Sequence, residues 1–262
     1  MTLRALTYLA PSIPLGLFEL VVERLRRVLG VRATLRAEAR HSGPPPDIPD
    51  PFSADEADLA FLCSPSFAWL SGMRPSPIEL VPAAPVFLEP RTAGRPVYFS
   101  DVIVHPGVAS ASFEERNLLA RLRALGEDRH FLRTARRSGS HLRSVELTAR
   151  GEVDGAAVDS NVLALLRRRD PLLCERVRVV ASWGPYAVQP IVVRGGTAIA
   201  RILLAMGREP AVRAALAAFG VGGFAPTSRA AYEADLAALG SDLHLAELPV
   251  AEGRVQQCSS AS

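Results

Sequence analysis

Residues 153–160, VDGAAVDS, join a short apolar strand to a small polar turn, Asp159-Ser160, that begins a helix. The same order of strand, polar turn and helix start occurs three more times, after Leu3–Leu9, Ala57–Leu62 and Phe131–Arg137. In open α/β sheets, ligands bind outside the carboxyl ends of strands, where helix N-termini offer free N–H groups and a partial positive charge. The pattern therefore predicts an α/β protein that holds a small anionic ligand between its strand-to-helix turns.

The composition is that of a well-buried globular protein. The chain has 262 residues, 48% of them hydrophobic, with a mean hydropathy of +0.16 and a net charge of +3. All its basic side chains other than histidine are Arg, and they are scattered, so we expect no nucleic-acid partner. The three cysteines have no paired spacing, so the sequence predicts neither a metal site nor a disulfide framework.

The sequence also bears on localisation. Met1 leads directly into the first predicted strand, without the basic and apolar segments of a signal peptide. If Met1 is the native start we expect a cytoplasmic protein, whereas a sequence shortened at its N-terminus would be periplasmic or at the cell surface. Since no apolar stretch reaches about 18 residues, we expect no membrane span.

Two long apolar strands, at Val97 and Val188, lie far apart in the sequence and are candidates for two crossings between lobes. Lobe one would then be discontinuous, covering residues 1–99 and 188–262, and lobe two would cover residues 100–187. Because strands and helices alternate along the chain, we expect mostly parallel sheets in both lobes.

Five segments occur in an order that resembles the phosphate/phosphonate substrate-binding family of ABC transporters: ADLAF (57–61), PVYFSDVIV (96–104), SGSH (138–141), GEVDGAAVDS (151–160) and SWGPY (182–186). The resemblance implies a two-lobed, type 2 periplasmic-binding-protein fold that closes on a ligand about two hinge crossings. It also implies a monomer whose partners are a small anion and possibly an ABC permease. One departure stands out: between His105 and Ser138 the chain has no room for the strand and Ser-rich turn that normally grip the phosphoryl group.

The resemblance implies that Tyr98, His141 and Asp159 face the cleft. With the side chains at the strand-to-helix turns, the candidate ligand-binding set is Tyr8, Ser64, Tyr98, Ser140, His141 and Asp159. Hydroxyls, helix N–H groups and a cationic His can hold phosphoryl oxygens, and Asp159 could hold an amine or a protonated ligand oxygen. At a helix N-terminus, the dipole is expected to disfavour the cationic form of His141.

Structural roles would explain the same residues. Ser140 and Asp159 are common helix N-caps, His141 could be an ordinary first-turn surface residue, and Tyr98 could simply pack in its strand. Trp183 and Tyr186 suggest hinge packing more than ligand stacking.

The function classes left open are a non-enzymatic binding protein, a cytoplasmic enzyme on the same fold (dehydratase-like, as in menaquinone synthesis) and a metabolite-sensing domain. No cluster of carboxylates, no metal spacing and no supported Ser–His–Asp order appears, so we predict no catalytic residues, no metal ligands and no cofactor. The binding protein is the preferred interpretation.

Overall fold

The computed structural model describes residues 2–38, 50–107, 138–195 and 198–239. The strands are β1 (Thr2–Thr7), β2 (Arg32–Ala37), β3 (Leu59–Phe61), β4 (Glu79–Leu80), β5 (Ala83–Phe87), β6 (Val97–Val104), β7 (Gly155–Asp159), β8 (Arg178–Ala187), β9 (Ile191–Val193) and β10 (Val221–Pro226). The helices are α1 (Leu15–Leu29), α2 (Ser64–Gly72), α3 (His141–Ala149), α4 (Ser160–Arg169), α5 (Pro171–Glu175), α6 (Ala198–Met206), α7 (Pro210–Ala218) and α8 (Arg229–Leu239), with a 3-10 turn at Pro90–Thr92. Residues 108–137 lie outside the described residues. They include the helix that the sequence predicts over 114–125, the strand that it predicts at Phe131, and most of the interval between His105 and Ser138 where we expect the Ser-rich turn to be missing.

The first sheet has the strand order β2-β1-β3-β9-β4, and α1 packs on it. Pro14 precedes α1, and Gly30 ends it with a left-handed φ of 66°, as the sequence predicts. The buried stripe of α1 includes Phe18 and Val22, whereas Val28, which was expected in the stripe, is 50% exposed. At this end of α1, Leu25 and Leu29 pack against the core instead.

The third sheet has the order β7-β6-β8, with both neighbours antiparallel to β6. Its registers pair Ser100 with Asp159 and Val97 with Ala187. β1 and β7, which carry two of the four strand-to-helix turns, therefore lie in different sheets. A continuous set of buried side chains nevertheless links the sheets, since Leu17 of α1 and Ile103 of β6 belong to the same core cluster.

The α/β class is confirmed, but the strand directions differ from the expectation of mostly parallel sheets. Among the described strands, β1–β2 and β1–β3 are parallel and the other five pairings are antiparallel. The alternation of strands and helices predicted the elements correctly. Which strands become neighbours depends on tertiary pairing, and the long strands β6 and β8 pair with each other in opposite directions.

Two strands differ from the sequence prediction. The expected turn at Trp183–Tyr186 is instead part of β8, which accommodates Gly184, with a φ of 130°, beside a register shift opposite Tyr98 and Ser100. β10 was not predicted, because Gly222 and Gly223 are poor strand residues. The backbone approaches closely there, with the Cα of Gly207 within 3.4 Å of the Cβ position at Gly223, which accounts for the glycines. No helix in the described part of the chain is both long and apolar enough to cross a membrane.

Candidate functional site

The turn after β1 meets the N-terminus of α3. The backbone N–H of Leu142, in the first turn of α3, donates to the Oγ of Ser12 at 3.3 Å. Ser12 belongs to the turn that follows β1 of the first sheet, whereas α3 packs against β7 of the third sheet. This hydrogen bond therefore joins two of the four predicted strand-to-helix turns across the two sheets.

The start of α3 follows from a short local motif. Gly139 takes a left-handed φ of 89°, which lets the chain turn, and Ser140 then adopts the extended conformation of an N-cap. The Ser140 Oγ accepts a hydrogen bond from the N–H of Arg143 at 3.1 Å. The capping role of Ser140 is thus present, while its hydroxyl proton remains available to a second acceptor.

His141 pairs with Asp159, the last residue of β7. The Nε2 of His141 lies 3.3 Å from the Oδ2 of Asp159, and the two side chains are 41% and 15% exposed. Partial burial lowers the pKa of His141, but the Asp159 carboxylate and a backbone hydrogen bond to Ala157 raise it by more, so the net direction is upward. The expected preference for the neutral form is therefore wrong, because a carboxylate at contact distance outweighs the helix dipole.

Asp159 is positioned for this contact rather than for capping. It occupies the N-cap position of α4, but its side chain makes no cap hydrogen bond. Its Oδ2 accepts instead from the Nε2 of Gln189 at 2.6 Å. The next residue, Ser160, ties the start of α4 to β6, since its Oγ accepts from the N–H of Phe99 at 3.0 Å. Capping alone does not account for Asp159.

Tyr98 and Cys63 also lie within range of the charge of the Asp159 carboxylate. Burial raises the pKa of Tyr98 well above its ordinary value, and the carboxylates of Asp159 and Asp235 raise it further. Burial also raises the pKa of the Cys63 thiol, with a further contribution from Asp159. Both side chains therefore stay protonated at neutral pH. Cys63 precedes α2, so the second strand-to-helix turn lies within range of the charge of Asp159.

The other two predicted ligand-binding residues, Ser64 and Tyr8, form no hydrogen bond or ion pair with His141 or Asp159 within the described part of the chain. Ser64 is the first residue of α2, directly after Cys63, and is partly exposed. Tyr8 is buried within a core cluster that includes Phe52 and Leu62. Burial, followed by the carboxylate of Glu38, raises the pKa of Tyr8 to about 12. The charged groups that act on Tyr8 are thus not those of the His141–Asp159 pair, and its ring lies in the core.

The contacts identify three polar residues that the sequence interpretation did not include in the site: Ser12, Asn161 and Gln189. Ser12 was recognised only as part of a turn. Gln189 is a single amide in an otherwise apolar run, which predicts that it is buried. A buried amide needs a hydrogen-bond partner, and this requirement was the sequence signal for a polar contact at Gln189. Within the described ranges, no three His, Cys, Asp or Glu side chains are grouped closely enough to hold a metal ion.

Taken together, the turns place at one point a histidine, a carboxylate, a protonated tyrosine, serine hydroxyls and the starts of three helices. Neutral hydroxyls and N–H groups donate to oxyanions, while a carboxylate favours a ligand with an amine or an acidic proton. Such a set can recognise a small acid but offers no activated nucleophile, because the Cys63 thiol is held protonated.

A family model matches residues 100–232, and its description is ABC transporter, phosphonate, periplasmic substrate-binding protein. This range is about half of the chain and contains most of β6 and all of α3, β7 and α4. No protein among the curated sequences matches the chain.

Solved structures share the fold at low sequence identity. A binding protein component of an ABC phosphonate transporter from Pseudomonas aeruginosa is 13% identical, with 92% of this chain and 95% of that chain covered and a TM-score of 0.66. PhnD1 from Prochlorococcus marinus, in complex with methylphosphonate, is 14% identical, with 89% and 95% covered and a TM-score of 0.68. A Xanthomonas citri protein bound to a chloride ion is 15% identical, with 91% and 97% covered and a TM-score of 0.59.

Proposed function

Because the chain belongs to the family of periplasmic substrate-binding proteins of phosphonate ABC transporters, we propose that it binds a small phosphonate-like anion where its strand-to-helix turns meet. The observation that carries this proposal is the convergence on the start of α3. Ser12 reaches it from the first sheet, and Asp159 reaches His141 from the third.

The ligand lies between two lobes, residues 1–99 with 188–262 and residues 100–187, which close about the crossings at β6 and the segment after β8. The distribution of β1 and β7 over different sheets supports this division. An anion entering the cleft would compete with Ser12 for the N–H of Leu142 and with Asp159 for His141. Closure therefore exchanges contacts between the lobes for contacts to the ligand.

The carboxylate of Asp159 restricts which anion fits. A fully deprotonated phosphonate would place its oxygens against a carboxylate, which costs free energy unless a proton or a cationic group lies between them. A singly protonated phosphonate can donate its O–H to Asp159, and a phosphonate that carries an ammonium group can do the same through nitrogen. The ligand class is thus a small phosphonate or related acid that keeps one donor.

In this function the protein acts in the periplasm as a monomer and delivers its ligand to an ABC permease. Family membership supports the compartment and the transporter.

The test is titration calorimetry of the purified protein with methylphosphonate and with inorganic phosphate, using choline chloride as the cationic control at matched ionic strength. We expect saturable binding of at least one of the two anions and a thermal stabilisation that grows with its concentration. A response to choline with none to either anion would reject the proposal.

Matched histidine variants locate the binding. His141→Asn should weaken the binding of the anion at least tenfold, since it removes the basic group at the start of α3. His105→Asn should leave binding unchanged, because His105 follows the opposite end of β6 from the Ser100–Asp159 pair. Equal losses in the two variants would contradict the proposed location.

A further inference from the structure

A chain of amide hydrogen bonds leads from the backbone of α4 to the site. The N–H of Val162 donates to the Oδ1 of Asn161, and the Nδ2 of Asn161 donates to the Oε1 of Gln189, each at 3.0 Å. The Nε2 of Gln189 then donates to the Oδ2 of Asp159 at 2.6 Å. Because a backbone N–H can only donate, it sets the direction of every bond in the chain. The last member, Asp159, is thereby required to accept.

The two amide side chains in the middle of this series of hydrogen bonds are buried, and the backbone next to Gln189 is held by hydrogen bonds of its own. Asn161 and Gln189 are 1% and 6% exposed, so each depends on its partner for its polar groups. On the two sides of Gln189, the N–H of Val188 donates to the carbonyl of Pro96, and the carbonyl of Pro190 accepts from Leu62. Gln189 also lines an apolar cavity, which offers its amide no alternative partner among the lining residues. Its side chain is therefore directed at Asp159.

We propose that Gln189 is a positioning residue, which holds the Asp159 carboxylate as a hydrogen-bond acceptor against the Nε2 of His141. Its role in ligand binding rests on the proposed function, whereas its role in orienting Asp159 does not. With the Nε2 of Gln189 as the donor, the Oδ2 of Asp159 is held as an acceptor at the position that faces the Nε2 of His141. Gln189 thus sets the pH at which His141 gives up its proton.

The other groups around the pair do not supply this effect. Tyr98 and Cys63 face Asp159 from β6 and from the turn before α2, and both remain neutral up to alkaline pH. Asp235 of α8 faces Tyr98 and accepts from the N–H of Ala187. On the helix of His141 itself, Arg143 is paired with Glu146. Asp159 is therefore the charged group that acts on His141 among the described contacts.

The experiment is an NMR pH titration of the imidazole resonances in the ligand-free, full-length protein. Asp159→Asn defines the midpoint of His141 without the carboxylate. In Gln189→Met, which keeps the length of the side chain but has no donor, the His141 midpoint should fall by at least half of the wild-type-to-Asp159→Asn difference.

A second variant makes the test independent of how well Gln189→Met folds. Gln189→Glu keeps the shape of the amide, and a buried carboxyl beside Asp159 takes up a proton that it can donate to Asp159, so the His141 midpoint should not fall below that of the wild type. A His141 midpoint that falls in Gln189→Glu, or that stays unchanged in a folded Gln189→Met, would overturn the proposal. Because no ligand is present, this result is separate from the calorimetry. If the midpoint moves but no anion binds, only the proposed function fails.

Discussion

The contact between His141 and Asp159 predicts a pH-dependent contribution to folding stability. At 3.3 Å, two unit charges attract by about 1 kcal/mol in the dielectric of water and by about 5 kcal/mol at an effective dielectric of 20. Because 41% of the His141 side chain is exposed, the lower end applies, and we expect a coupling free energy of about 1 kcal/mol.

The direction of the pKa shift determines its pH dependence. The pKa of His141 is raised in the folded protein, so the folded state binds the proton more tightly than the unfolded state. The stabilisation is therefore fully present below the unfolded pKa of about 6.5 and is lost as the pH rises through the higher, folded value.

A double-mutant cycle of Asp159→Asn and His141→Asn, measured by urea unfolding at pH 6 and pH 9, isolates this term. Asn at position 159 retains an oxygen that accepts from Gln189, so that hydrogen bond is kept. We expect a coupling of about 1 kcal/mol at pH 6 and close to zero at pH 9. Asp154→Asn, on the exposed turn before β7, should show no coupling to His141→Asn at either pH. A coupling that is the same at both pH values would refute the argument.

Five further variants, grouped in three tests, probe the local structure by unfolding measurements. Ser140→Ala should cost about 1 kcal/mol through the lost N-cap of α3, and Ser140→Asp, which can cap, should restore most of it; a neutral Ser140→Ala would remove the capping argument. Arg91→Ala should cost about 3 kcal/mol, because it leaves the 1%-exposed carboxylate of Asp101 without its bidentate partner; a loss below about 1 kcal/mol would show that solvent replaces the guanidinium. Leu25→Ala should cost about 3 kcal/mol, whereas Val28→Ala on the exposed side of the same helix should cost less than about 1 kcal/mol, and similar losses would contradict the burial of α1.

The predicted family is confirmed, and so is the type of fold. Five short motifs in order were sufficient, because strand patterns, turn residues and helix caps are local properties of the sequence. The sequence patterns also predict a helix over 141–149, a strand over 97–104 and a helix over 198–206, which are the observed bounds of α3, β6 and α6. These elements have strong local signals: a Ser N-cap after Gly139, a run of β-branched and aromatic residues, and an apolar helical face.

The assignment of roles to individual residues was harder to predict. Asp159 follows a strand and precedes a helix, which is typical of both a capping residue and a ligand-binding residue. Its actual partners, His141 and Gln189, lie 18 and 30 positions away in the sequence. Tyr8 has the same kind of position after a strand, yet its ring turns into the core. Local sequence cannot distinguish these cases, because the distinction depends on which side of the strand end packs into the core.

The sequence by itself determined the elements, the family and the four polar turns, since helix caps, strand patterns and turn residues are local properties of the chain. Only the tertiary structure decided that these turns meet, with Ser12 at the start of α3 and the Asp159 carboxylate at His141. It also decided that most sheet pairings are antiparallel among the described strands, and that a buried glutamine orients the carboxylate. These features depend on contacts between residues that are far apart in the chain, and such contacts form only when the packing of the sheets fixes their distance and direction.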